Sequence, residues 1–218
     1  MKGYGMNFFR GKGLLCLACW WTAAFVCGAE KKLAGPKGHT DPKGVSLELR
    51  LVAKQAKYKL DLGGKSSKEF TKQLAEAKKT GRYPEPPGVD LTLELRNTGT
   101  KDLQIHVQGD QNSIGLVLKG PGAVSVVPRR AFTTDFRLPK AIKVAAGKSY
   151  SFPALKSLRF GFRGVGQQAY WTKPGTYTLT ATYQTAVSPP PKGSKEIGEG
   201  FGRVSVASAP VEIKVVVK

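Results

Sequence analysis

The sequence predicts a mainly β fold: an antiparallel β-sandwich of one domain, residues 45–218, with one short helix inserted near residues 67–80. Three observations predict it. Apolar and polar residues alternate through many short runs, glycine or proline separates nearly all of them, and a single segment has helical spacing instead. Short strands at near-regular spacing with one helix fit packed antiparallel sheets rather than alternating β and α units.

From Val45 to Leu51 apolar residues alternate with Ser46, Glu48 and Arg50, the period of a strand with one wet face. A second short strand fits Tyr58, Leu60 and Leu62 and ends at Gly63 and Gly64. Ser66 and Glu69 have capping-box spacing, and Phe70, Leu74 and Ala77 follow at helical spacing, so a helix runs to Gly81. Pro84, Pro86 and Pro87 force extended chain, because proline disfavours helix in the residue before it. Val89, Leu91, Leu93 and Leu95 then alternate with Asp90, Thr92, Glu94 and Arg96, giving the clearest strand and a face that must be buried. Asn97, Thr98 and Gly99 signal a turn into Leu103, Ile105 and Val107, with Gln104, His106 and Gln108 outward. Further strands are expected at Ile114–Lys119, Ala123–Val127, Ile142–Val144, Ser149–Phe152, Thr176–Tyr183, Arg203–Val206 and Val211–Val217.

The first 44 residues belong to none of these elements. Lys2, Arg10 and Lys12 precede an apolar stretch from Leu14 to Val26, and Gly28 and Ala29 follow, the three-part pattern of a secretory signal over residues 1–29. The apolar run is roughly 13 residues, short of the about 20 that a membrane-spanning helix needs, so cleavage after Ala29 is expected rather than retention as an anchor. Lipid attachment at Cys27 or Cys19 fits less well than simple cleavage, because the residues before Cys27 lack the usual pattern and those before Cys19 fit it only slightly better. Residues 30–44 mix Lys, Gly and Pro with His39 and read as a flexible tether. The expected location is periplasmic or extracellular.

All three cysteines, Cys16, Cys19 and Cys27, lie in the signal, so the exported chain would hold no thiol. Zinc–thiolate sites, iron–sulfur clusters and cysteine nucleophiles are thereby excluded from it. A chain of about 190 residues buries roughly 70 % of its unfolded surface and needs no covalent staple. The formal charge of +20 becomes +17, because the signal carries three basic residues and no acidic one. Charge of that size bears on partners rather than on fold. Export turns the expectation from nucleic acid toward an anionic polymer, a membrane surface or another envelope protein.

Leu91–Gly99, Ala146–Phe152 (Ala-Gly-Lys-Ser-Tyr-Ser-Phe) and Lys173–Leu179 (Lys-Pro-Gly-Thr-Tyr-Thr-Leu) resemble bacterial secreted immunoglobulin-like domains. They are also similar to the intracellular proteinase inhibitor-like sandwich family of bacilli, where an Asn-x-Gly turn and a Pro-Gly-x-Tyr strand start recur. With Gly161-Phe162-Arg163-Gly164 and Ala169-Tyr170-Trp171, the pattern over residues 45–217 most resembles exported immunoglobulin-like β-sandwich proteins of planctomycete-type bacteria. The resemblance implies an immunoglobulin-like sandwich and leaves function open. It also implies that Tyr177 is a corner tyrosine whose hydroxyl bonds back to the main chain.

Motifs for catalysis are incomplete. Gly147-Lys148-Ser149 lacks the earlier glycine of a phosphate loop, since Ile142 stands in its place. Asp110, Asn112 and Gly115 open a calcium loop, but Ile114 and Pro121 occupy ligand positions. Gly198, Gly200 and Gly202 read as a flexible loop, and no Gly-x-Ser-x-Gly accompanies His106. Asp90, Glu94, Asp102 and Asp110 offer the carboxylates a glycosidase needs, yet Asp90 and Glu94 are explained by the wet face of a strand. No catalytic residue, metal ligand or cofactor is assigned, and the expectation is a protein without catalysis of its own.

The most distinctive feature is charge asymmetry. Between Lys119 and Lys173 eleven Lys or Arg residues face one acidic residue, Asp135. Arginine offers paired donors to carboxylate, sulfate or phosphate, and aromatics stack on sugars or on partner side chains. The candidate binding residues are therefore Arg129, Arg130, Arg137, Lys140, Arg159, Phe160, Phe162, Arg163, Tyr170 and Trp171. They suit an anionic envelope component or, alternatively, a protein-interaction or inhibitor-like surface built from the loops at one end. The same aromatics can equally cap the core, and the charges can be spread over both faces.

Overall fold

The structure is a computed structural model that describes residues 46–110, 112–127, 136–160 and 166–217; the expected signal and tether lie outside the described residues. In chain order the elements are β1 (Leu47–Ala53), β2 (Lys57–Lys59), α1 (Ser67–Thr80), β3 (Gly88–Asn97), β4 (Leu103–Val107), β5 (Ser113–Lys119) and β6 (Ala123–Val126). They continue with β7 (Lys140–Val144), β8 (Ser149–Ser151), β9 (Leu155–Ser157), β10 (Arg159–Phe160), β11 (Gln167–Trp171), β12 (Gly175–Ser188), β13 (Gly202–Ala207) and β14 (Val211–Val216). The fold is mainly β with one helix, as the alternation and the capping box predict. Among the described residues no helix is long and apolar enough to cross a membrane.

One sheet centres on β3, with β1 along one edge and β8 and β9 along the other. Leu91, Leu93 and Leu95 are fully buried, while on the outer face Glu48 lies opposite Arg96 and Arg50 opposite Glu94, so charges of opposite sign face each other across the ladder. The second sheet is organised by β12, which receives β5 and β4 on one edge and β14 and β13 on the other. Ser208 fills the gap between β13 and β14: its N–H donates to the Ala181 carbonyl at 2.8 Å and its hydroxyl accepts from the Ala181 N–H at 2.9 Å. Leucines of the first sheet and Ile105, Leu116, Leu179 and Ile213 of the second share one core.

The third sheet, β10–β11–β6, is covered on both faces. Along β11 Trp171 points into the main core, and its neighbour Tyr170 points the opposite way into a smaller cluster with Leu62, Phe70 and Leu74. Ser66 caps the helix of that cluster and Glu69 reaches back to the Ser66 N–H at 2.8 Å; Gly81, at φ +76, ends it. Among the described residues the buried members of both clusters run from Leu49 to Val215.

Several connections differ from the sequence reading. The turn at Asn97 joins two sheets instead of closing a hairpin: its side-chain amide donates to the carbonyls of Lys101 (2.8 Å) and Val144 (3.0 Å), and its oxygen accepts from Gly99 N–H. Strand β2 ends at Lys59 and pairs parallel with β14, whereas the other strand ladders among the described residues are antiparallel, and Leu62 belongs to the helix cluster. Strand β12 continues five residues past Tyr183. The glycines around Phe201 form an ordered turn, because Phe201 is buried and stacks on His106 with ring centroids 4.0 Å apart.

Candidate functional site

Three of the aromatics chosen as binding residues are interior. Phe160 is 4 % exposed, Tyr170 0 % and Trp171 2 %. Trp171 packs against Tyr58 and Tyr177 with centroids at 5.5 and 6.1 Å, and its indole N–H has no hydrogen-bond partner. Tyr170 meets the edge of Phe70 and donates its hydroxyl to the Pro84 carbonyl at 2.7 Å; burial pushes its ionisation far above the ordinary tyrosine range. These side chains hold layers together and offer no surface to a partner. They are corrected to core residues. Tyr177 bonds back to the main chain as expected of a corner tyrosine, its hydroxyl within reach of the carbonyls of Pro121 and Lys173 with one proton to donate to either.

The basic residues separate into different environments. Arg129, Arg130, Phe162 and Arg163 lie outside the described residues. Arg159 is paired with Glu85 at 3.0 Å, Lys156 with Asp90 at 2.9 Å and Lys143 with Asp102 at 2.8 Å. Those acidic partners all precede residue 119, so the charge excess of the window 119–173 is partly neutralised from elsewhere in the chain. The Lys156 hydrogen bond holds the Asp90 carboxyl below the usual range, and Lys143, aided by Ala146 N–H, does the same for Asp102. Of the carboxylates singled out as a hydrolytic set, Asp90 and Asp102 thus serve separate surface pairs, Glu94 lies opposite Arg50, and Asp110 accepts from the Arg137 N–H. Among the described residues no group of three or more His, Asp or Glu side chains is placed to hold a metal.

Arg137 lies three residues before Lys140, the first residue of β7. The segment 136–139 is held to the turn after β4: Arg137 N–H donates to Asp110 Oδ2 at 2.9 Å, and Asp110 N–H donates to the Arg137 carbonyl at 3.1 Å. Gly109, at φ +81, is required there, since a Cβ would sit 2.6 Å from the Pro139 nitrogen. Next to this contact lies a groove of 390 Å³ bordered by Arg137, Asp110 and Asn112 on its polar side and by Tyr150, Phe152 and Tyr183 on its apolar side. Phe152 meets both tyrosines edge to face, at 5.0 and 4.8 Å. Phe136 and Leu138, on either side of Arg137, are 59 % and 78 % exposed.

With that geometry in view, comparison with known proteins adds little. No family model and no curated protein matches the chain. Among solved structures it matches a β-glucosidase of Erythrobacter marinus at 10 % identity and a TM-score of 0.25, over 78 % of this chain and 15 % of that one. Because that match is to an enzyme, the expectation of a protein without catalysis is withdrawn; at this TM-score the match assigns neither an active site nor a substrate.

Phe136, Leu138 and the groove aromatics escaped the sequence reading. The available signal was Phe136-Arg137-Leu138-Pro139, two large apolar residues in no alternating run and stopped by proline. Lys140 and Lys143 then mark β7 as an edge strand, paired only with β4 among the described residues.

Proposed function

We propose that this chain is an exported β-sandwich module that binds an anionic envelope component through the end of the sandwich at residues 136–143. Export rests on the pattern from Lys2 to Ala29. The observation that carries the binding reading is the run from Phe136 to Lys140, in which exposed Phe136 and Leu138 flank Arg137 at the border of a groove and Lys140 follows. Cations there meet phosphate, sulfate or carboxylate, and a net charge near +17 draws the chain to any anionic surface.

The test uses residues 30–218 on immobilised polygalacturonate and on phosphatidylglycerol vesicles. Retention at low ionic strength should fall steeply as salt shortens the screening length to about 10 Å and below. Lys140→Glu should weaken retention more than Lys214→Glu on β14. No retention on either surface at low salt overturns the reading. A stoichiometric protein co-purifying from native envelope would replace it with the protein-interaction alternative.

A further inference from the structure

Among the described residues five large apolar side chains are exposed: Val52, Val127, Phe136, Leu138 and Val217. Two of the five, Phe136 and Leu138, flank Arg137 just ahead of β7, and Lys140 opens that strand two residues after Leu138. Exposed apolar side chains scattered singly are ordinary; several grouped with cations are not.

The backbone under Phe136 and Leu138 is fixed. Both main-chain groups of Arg137 are hydrogen-bonded to Asp110, and Pro139 is in close contact with Gly109. Arg137 borders the groove, and its two neighbours Phe136 and Leu138 stay largely exposed beside it. The result is an exposed apolar pair on a pinned support with a cation between its members.

We propose that this pair enters the interfacial region of an anionic lipid bilayer while Arg137 and Lys140 meet the headgroups. The inference rests on the reading above and names the anionic component as lipid. A polyanionic polysaccharide rewards the cations but gives nothing for an exposed phenylalanine and leucine. A bilayer rewards both at once, and one signal of either kind alone gives marginal, reversible attachment.

The experiment uses residues 30–218 with phosphatidylglycerol vesicles, phosphatidylcholine vesicles and polygalacturonate in parallel. Of the two kinds of vesicle, the chain is expected to sediment with phosphatidylglycerol and not with phosphatidylcholine. Phe136→Ser combined with Leu138→Ser should weaken that binding about tenfold and leave retention on polygalacturonate unchanged. Both residues are exposed, so thermal unfolding of the double variant should match that of the parent. Phe136→Trp supplies a second readout: Trp171 is buried and insensitive, so a blue shift on adding phosphatidylglycerol reports the new indole leaving water. Undiminished vesicle binding by the double variant, or no blue shift, overturns the lipid inference and leaves the anionic-surface reading standing if polygalacturonate still binds. Loss of binding to every anionic surface overturns both.

Discussion

Residues 159–171 and residues 136–143 are alike on paper. Each sets arginine or lysine among large apolar side chains beside glycine or proline. Their fates are opposite. Strand β11 is paired on both edges and covered on both faces, by the main core and by the helix, so Tyr170 and Trp171 disappear from the surface. The 136–139 segment is held through the Arg137 backbone and through Pro139, yet Phe136 and Leu138 stay exposed. Composition alone does not distinguish an anchor for a partner from an anchor for the fold; what lies over each face does.

The sharpest way to break this comparison is to truncate one aromatic in each region. Trp171→Ala should cost about 3–5 kcal/mol in denaturant unfolding, whereas Phe136→Ala should stay within about 0.5 kcal/mol. Similar losses would mean that the two regions are not different in kind. With Trp171 as the sole tryptophan of residues 30–218, its emission should also be blue and resistant to iodide.

A second contrast tests burial within one strand. Leu93→Ala, in the middle of β3, should cost about 2–5 kcal/mol, and Glu94→Ala beside it, on the outer face, almost nothing. Equal melting temperatures would remove the assignment of faces in this sheet.

Tyr177→Phe removes one hydroxyl and leaves the carbonyls of Pro121 and Lys173 without it, so a loss of about 1–3 kcal/mol is expected with the fold intact. The smallest effect is at alkaline pH. Burial pushes Tyr183 up to about 12, from the ordinary 10, so its neutral form belongs to the folded state. Its contribution is fully present below pH 10 and is lost as pH rises through 12. An ultraviolet titration should show the late ionisation of this tyrosine in wild type and its absence in Tyr183→Phe; an ordinary midpoint would place the ring at the surface.

What the sequence made legible was local. The leucines of β3 alternate because one face is dry and one wet, and Ser66 with Glu69 marks a helix start by hydrogen bonds three residues apart. Tyr177 at its corner was expected from the resemblance of Lys173–Leu179 to immunoglobulin-like sandwiches, and its carbonyl partner Lys173 is four residues away. What stayed hidden depended on distant partners. Strand β11 shows no alternation because both of its faces are buried. The charges of Lys143, Lys156 and Arg159 looked like a patch because Asp102, Asp90 and Glu85 lie elsewhere in the chain. The turn at Phe201 looked flexible because the ring that orders it, His106, is on another strand.

The parallel ladder between β2 and β14 sets Tyr58 beside Val215, near the two ends of the domain. Closing so long a loop is slow, since its entropy must be surrendered before any contact repays it. Strand β12 has the same requirement, because two of its four neighbours, β13 and β14, follow it in sequence. A nascent chain that stops short of residue 211 therefore lacks the strand that seats β2 and completes the β12 ladder. Until β14 is available, β2 and residues 175–179 of β12 lack the partner that the finished fold gives them, and any machinery that handles extended chains meets them unpaired.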